Sequence, residues 1–124
     1  MVSKRKSNYL QSSNKYLNDS ESLLKNADFA QASEKIWGAV VTLLKAIAEQ
    51  KRKRLTTHQG INYFFSEIAN ELKDKTVHDI CAKANLLHQN FYENNLHPDT
   101  VKKHLHDLKR FIFRLQNRYN LNGK

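Results

Sequence analysis

The sequence is short of residues that break or cross-link a chain: it has one proline, three glycines and one cysteine among 124 residues. Tight turns therefore have few obligatory sites, and no stretch alternates polar and apolar residues as a strand does. A single cysteine excludes an internal disulfide and indicates a reducing compartment, so we expect a cytoplasmic protein. These shortages favour helices that are joined by short loops.

Long apolar runs are also missing. A membrane-spanning helix needs about 20 consecutive apolar residues, and every apolar run in this chain is far shorter. The N-terminal segment 1–6 is basic, but no apolar signal core follows it. We therefore expect a soluble intracellular protein with no membrane partner.

Acidic residues are scarce relative to basic ones. The chain has 21 Lys and Arg against 12 Asp and Glu, which gives a net charge of +9. Such an excess favours polyanionic partners, RNA or a nucleotide among them, because binding releases counterions. A basic surface also serves solubility alone, so charge leaves both interpretations open.

The strongest positive signal is the segment 28–54, where apolar residues at three- and four-residue spacing cover most of a helix circumference. Such a helix is buried on most sides, so we predict that it is the central rod of the fold. Asp28 is its predicted N-cap, with Gln31 in the capping-box position. The predicted core residues are Phe29, Ala32, Ile36, Ala39, Val40, Leu43 and Ile47, with an adjoining row of Trp37, Val41, Leu44 and Ala48.

Four further helices are predicted: 8–25, from Thr56 or Thr57 to 72, from 77 to about 94, and from Pro98 onward. Pro98 suits the first helical position, where its missing N–H donor costs nothing. We expect residues 1–7 and 120–124 to be flexible. The sequence thus predicts a single all-α domain over 1–124, an antiparallel up-and-down bundle of about five helices.

Two clusters suggest a site. Lys51, Arg52, Lys53 and Arg54 follow the central helix, where cations stabilise the helix dipole or, alternatively, bind phosphate.

The second cluster lies on the fourth helix, where Asn85, His88 and Tyr92 fall at i, i+3 and i+7 and share a face. An imidazole in such a row suits general acid–base chemistry or binding of a base or phosphate. The structural alternative is a half-buried histidine that is hydrogen-bonded to Asn85 or Tyr92.

Other kinds of site find less support. Cys81 falls on the inward stripe of the fourth helix, and a buried thiol is inert because its pKa is raised. The six histidines form no set of three or four ligands with suitable spacing, so we expect no metal. No glycine-rich phosphate loop is present, and no cofactor is predicted.

The segments Phe29–Val40 and Leu87–Leu96 resemble the archaeal PaREP family, which is grouped with the HEPN superfamily of small helical bundles. The resemblance rests on Ala-Ser-Glu-Lys-x-Trp-Gly-Ala in the first segment and His-x-Asn-Phe-Tyr-Glu in the second. It implies a HEPN-like dimeric bundle. We expect Phe91, Tyr92 or Phe113 to face the second subunit.

Active members of that superfamily are metal-independent ribonucleases with Arg, four to six residues and then His. The corresponding residues here are Lys83 and His88. Lys therefore replaces the Arg of the motif, and this departure counts against catalysis. On a continuous helix they lie about 140° apart and would converge only across a dimer or at a distortion. A literal match from Arg52 to His58 spans a predicted turn, and we attribute it to chance.

Three hypotheses remain open. The first is a non-enzymatic module that binds a nucleotide or RNA through the row on the fourth helix and the basic cluster at 51–54. The second is a metal-independent ribonuclease, with His88 as general acid or base and Lys83 stabilising charge. The third is a structural subunit that partners a nucleotidyltransferase or belongs to a toxin–antitoxin system.

Overall fold

The computed structural model describes residues 3–121, and this part of the chain is helical without any strand. The all-α prediction is confirmed. Within the described residues no helix has the length and apolarity to cross a membrane. The helices are α1 Lys4–Lys25, α2 Phe29–Gln50, α3 His58–Leu72, α4 Thr76–Glu93 and α5 Pro98–Arg118.

Helix α2 is the centre of the bundle, as the sequence predicted. It contacts all four other helices, while α3 also packs on α4 and α4 on α5. Its N-terminus has the predicted cap, since the Asp28 carboxylate accepts a hydrogen bond from the Gln31 amide at 3.2 Å. Phe29 and Trp37 are only half-buried. The buried apolar residues of α2 are Ala32, Ile36, Ala39, Val40, Val41, Leu43, Leu44, Ala46, Ile47 and Ala48.

Helix α1 lies close against α2 because small residues line the contact. The buried Ser13 hydroxyl donates to the Ala39 carbonyl at 2.7 Å. A Cβ at Gly38 would stand 3.2 Å from Cδ2 of Tyr16, so the missing side chain lets the tyrosine ring rest on α2. Leu17 is the one leucine of α1 that is buried.

Regular structure and core packing extend further toward both ends of the chain than the predicted helices do. Helix α1 begins at Lys4 rather than at residue 8, because the Ser3 side chain accepts a hydrogen bond from the Lys6 amide at 3.0 Å. At the other end, Leu121 is buried in the core cluster. Flexibility of 3–7 and 120–121 stays a prediction, and residues 1–2 and 122–124 lie outside the described part.

Each helix is followed by a residue in the left-handed region, and none of these residues is glycine. Their φ angles are all positive, and the turns close through backbone hydrogen bonds such as that from the Asp28 amide to the Leu23 carbonyl at 2.9 Å. Helices in a bundle can therefore reverse here without the residue type that usually does so. The residues are Ala27 (60°), Arg52 (61°), Lys73 (52°), Asn94 (47°) and Asn120 (57°).

Candidate functional site

Three rings from three helices meet beside α2. Trp37 of α2 and His88 of α4 stack with centroids 3.9 Å apart and an interplanar angle of 14°. His58, the first residue of α3, lies 5.7 Å from Trp37 and 5.4 Å from His88, with its plane tilted by 21° and 28°. We call Trp37, His58 and His88 the ring stack. It joins residues that are far apart in the sequence.

Glu34 holds the His88 imidazole of the ring stack in place. It precedes Trp37 by three residues on α2, so both side chains project on the same side. Its Oε1 lies 2.8 Å from Nδ1 of His88. A carboxylate oxygen accepts hydrogen bonds, so this contact suits the imidazole with its Nδ1 as the donor. The side chain of His88 is 23% exposed, which keeps it within reach of solvent.

A groove of about 480 Å³ opens between α1, α2 and the start of α3, and Trp37 and His58 line it. Lys35 and Lys45 bring positive charge to the groove, with their ammonium groups 5.2 Å and 5.8 Å from the ring centroids of Tyr16 and Tyr9. Neither lysine has a carboxylate partner among residues 3–121. The groove therefore combines an aromatic wall with two lysines that form no ion pair, and its one lining carboxylate, Glu34, bonds to His88.

The row predicted on α4 is only partly assembled. Tyr92 packs edge-on against His88 at 5.7 Å and is 72% exposed. Asn85 instead donates to Oδ1 of Asn62 at 3.1 Å and contacts Sγ of Cys81 at 3.7 Å. The structural alternative, a half-buried and hydrogen-bonded His88, thus has Glu34 as the partner in place of Asn85 or Tyr92.

Lys83 lies apart from His88 within one chain. Helix α4 runs without interruption from Thr76 to Glu93, so the five-residue step holds the two side chains on different faces. The Nζ of Lys83 pairs with Oδ2 of Asp107 on α5 at 2.8 Å. The predicted catalytic pair is thus not assembled within this chain.

Two of the four residues in the basic cluster at 51–54 have structural partners. Lys51 pairs with Glu71, and Nζ of Lys53 lies 2.7 Å from Oε2 of Glu67, so both lysines tie the end of α2 to α3. The hydrogen bonds from Lys51 and then Tyr119 lower the pKa of Glu71. The exposed Arg52 and Arg54 have no such ion pair in the described part. For these arginines phosphate binding stays a prediction.

The remaining candidates are a thiol and a metal site. Burial raises the pKa of Cys81, which is half-buried between α3 and α4, in line with the inert thiol that the sequence predicted. Across residues 3–121, no three His, Cys, Asp or Glu side chains are grouped so as to hold a metal ion.

Sequence reasoning missed two members of the site. Glu34 falls within the segment that carries the family resemblance, and its three-residue spacing to Trp37 was the available signal. His58 ends the match that begins at Arg52, and spacing alone does not distinguish that match from chance. Its contact with His88 depends on the conformation of the segment 51–57 between α2 and α3. No local sequence pattern predicts that conformation.

Comparison with known proteins places the chain in a family. A search of curated proteins finds no match. Residues 8–112 match the family described as the archaeal PaREP1/PaREP8 family. The matched segment contains α2, α3 and α4 entire, and with them every residue of the ring stack. Because the match spans most of the sequence, this chain belongs to the archaeal PaREP1/PaREP8 family.

Proposed function

We propose that this protein is a non-enzymatic module that binds a nucleotide or single-stranded RNA in the groove beside Trp37. One observation carries the proposal: the Trp37 ring lines the same groove as Lys35 and Lys45, which have no carboxylate partner in the described residues. Proteins that bind single strands combine an aromatic platform for a base with cations for the phosphates. Both parts are present here within one groove.

The ring stack suits this role because its members support one another. His88 covers one face of Trp37, and Glu34 fixes the imidazole, so the indole is held before a ligand arrives. Stacking of a base on an aromatic side chain contributes about 1–3 kcal/mol. Lys35 and Lys45 would meet the phosphates that accompany the base, which makes the binding dependent on salt.

Trp37 is the single tryptophan of the chain, so its fluorescence reports on the groove. We expect a short oligouridylate, and more weakly uridine monophosphate, to quench its emission in a saturable manner. The logarithm of the affinity should fall with the logarithm of salt concentration by about 0.7 for each phosphate contacted. Removing one contact by Lys45→Ala should reduce that slope by about 0.7.

The matched control is Lys75→Ala. Lys75 is an exposed lysine before α4, away from the groove, so this variant removes the same charge and should keep the wild-type slope. Absence of quenching by either ligand, or equal slopes in wild type and Lys45→Ala, would contradict the proposal.

The Glu34–His88 hydrogen bond favours a second candidate, a metal-independent ribonuclease. A carboxylate that orients His88 prepares the imidazole for proton transfer, and His58 offers a second imidazole 5.4 Å away. In this candidate Lys35 or Lys45 replaces Lys83 in stabilising the charge on phosphorus.

Labelled RNA incubated with the protein in EDTA tests the enzymatic candidate. Cleavage that disappears in both His88→Ala and His58→Ala would support a pair of proton-transfer residues. Cleavage that persists unchanged in both variants would assign the activity to a contaminant and remove this candidate.

The proposal also covers the assembly: a HEPN-like homodimer in the cytoplasm. Its support is apolar surface, since Tyr92 is 72% and Phe113 46% exposed, while Phe91 is half-buried against Tyr92. Light scattering distinguishes the dimer from a monomer. The third hypothesis, a subunit that serves a nucleotidyltransferase or a toxin–antitoxin system, expects no salt-dependent retention of RNA.

A further inference from the structure

A second opening lies between α4 and α5, along the N-terminal half of α4. It measures about 430 Å³, and four of its lining side chains are cationic: Lys83, Lys103, Arg110 and Arg114. Asp107 is the one carboxylate that lines it. On α5, positions 103, 107, 110 and 114 follow three- and four-residue steps and share one face. We call this opening the α4–α5 cleft.

The cations of the cleft outnumber their carboxylate partners. Asp107 is shared, with Lys83 at 2.8 Å from one oxygen and Lys103 at 2.6 Å from the other. The ammonium groups of Lys83 and Lys103 each have three N–H donors and use one of them to bond to Asp107. Arg114 pairs with Asp74 at 2.5 Å. Arg110 is exposed and has no ion pair in residues 3–121, so its whole guanidinium is available.

This positive excess persists at neutral pH. Burial alone would raise the pKa of Asp107, but hydrogen bonds from Lys103 and Lys83 outweigh it and lower the pKa to about 2. The hydrogen bonds from Thr76 and Arg114 lower the pKa of Asp74, also to about 2. Both carboxylates are therefore ionised at neutral pH, and the four cations of the cleft still outnumber them by two.

Side chains, rather than the end of a helix, carry the positive character of the cleft. The amide of Thr76 in the first turn of α4 already donates to Oδ1 of Asp74 at 2.9 Å. An anion that enters the cleft is thus met by the guanidinium groups of α5 and by the remaining ammonium donors. Guanidinium groups present paired donors that match two oxygens of a phosphate.

We propose that the α4–α5 cleft is a phosphate-binding site, which takes either the backbone of a nucleic-acid strand or a free polyphosphate. Arg110 makes the main contact, and Arg114, Lys83 and Lys103 complete the set. The cleft shares no lining residue with the groove beside Trp37. Variants in the cleft therefore leave the lining of the groove unchanged.

Amide NMR of the full chain, titrated with inorganic tripolyphosphate and separately with an oligouridylate, tests the proposal. We expect shifts that centre on Lys83 and on residues 103–114. Arg110→Gln should weaken the affinity for either probe by about tenfold or more, the effect of losing a charged hydrogen bond. Lys25→Gln, which removes an exposed charge at the end of α1, is the control and should change it less than about twofold.

The two probes identify the source of the phosphate. Shifts with both probes show recognition of the phosphate group itself, and shifts with the oligonucleotide alone show a strand site. Unmoved cleft signals with both probes, or equal affinity in Arg110→Gln and wild type, would overturn the proposal. Quenching of Trp37, recorded on the same samples, reports the other groove and keeps the two outcomes separate.

Discussion

Leu43→Ala is expected to lower the free energy of unfolding by about 2–5 kcal/mol. Leu43 is 0% exposed and belongs to the central helix α2, which contacts every other helix. The substitution removes buried methyl groups and leaves a cavity that the surrounding helices can fill only in part. The lost transfer free energy of these groups and the cost of the cavity therefore add. Urea unfolding followed by circular dichroism should show a lower midpoint with an unchanged slope.

Gln31→Ala is the control on the same helix. Its side chain is exposed, and the hydrogen bond to Asp28 uses its backbone amide, which alanine keeps. The control should therefore stay within about 0.5 kcal/mol of wild type. A loss below about 1 kcal/mol in Leu43→Ala would contradict the central place of α2.

Asn90→Leu is expected to cost about 2–4 kcal/mol, although it replaces a polar residue with an apolar one of similar size. Asn90 is 1% exposed. Its Oδ1 accepts hydrogen bonds from the amides of Asn95 and Leu96, each at 2.9 Å, and its Nδ2 donates to Oγ of Ser33 at 3.2 Å. Leucine leaves both amides without this acceptor, at about 1–3 kcal/mol for each group that stays unsatisfied.

Asn95→Ala provides the comparison for Asn90→Leu. Asn95 is exposed, and alanine keeps the backbone amide that bonds to Asn90. We expect a change within about 0.5 kcal/mol, measured by the same urea unfolding. If Asn90→Leu proved as stable as Asn95→Ala, then the turn between α4 and α5 would not depend on Asn90.

The two stability predictions differ in what the sequence could reveal. The burial of Leu43 follows from apolar spacing in the segment 28–54, because residues on one helix face recur every three or four positions in the sequence. No sequence pattern of this kind predicts the role of Asn90. Its partner Ser33 is 57 residues away and its amide partners follow the helix, so its role emerges only when α2 and α4 are in contact.

The candidate site likewise combines features that local spacing predicts with features that depend on packing between helices. Trp37 and His88 each stand out in the sequence, but their stacking depends on how α2 and α4 cross. Polar residues on α4 suggested a row for Asn85, whereas the fold gives Asn85 a partner on α3 and gives His88 a partner on α2. Faces of a helix follow from local spacing. Which neighbour each face meets depends on packing across the whole bundle.

Charge was the least informative signal. The basic cluster at 51–54 is the densest run of cations in the sequence, yet Lys51 and Lys53 are neutralised by carboxylates of α3. Lys35 and Lys45, which stand alone in the sequence, have no carboxylate partner in the described part of the chain. Local charge density therefore did not indicate which cations are available to a ligand.

The five left-handed residues, none of them glycine, have a consequence for the denatured ensemble. A left-handed backbone costs an ordinary L-residue about 1–2 kcal/mol in the native state, which glycine avoids. A residue with a Cβ, however, samples fewer conformations than glycine before folding and so loses less entropy when the turn forms. At Ala27, Lys73 and Asn94 the more restricted unfolded chain recovers about 0.4–1 kcal/mol, which is less than the native strain.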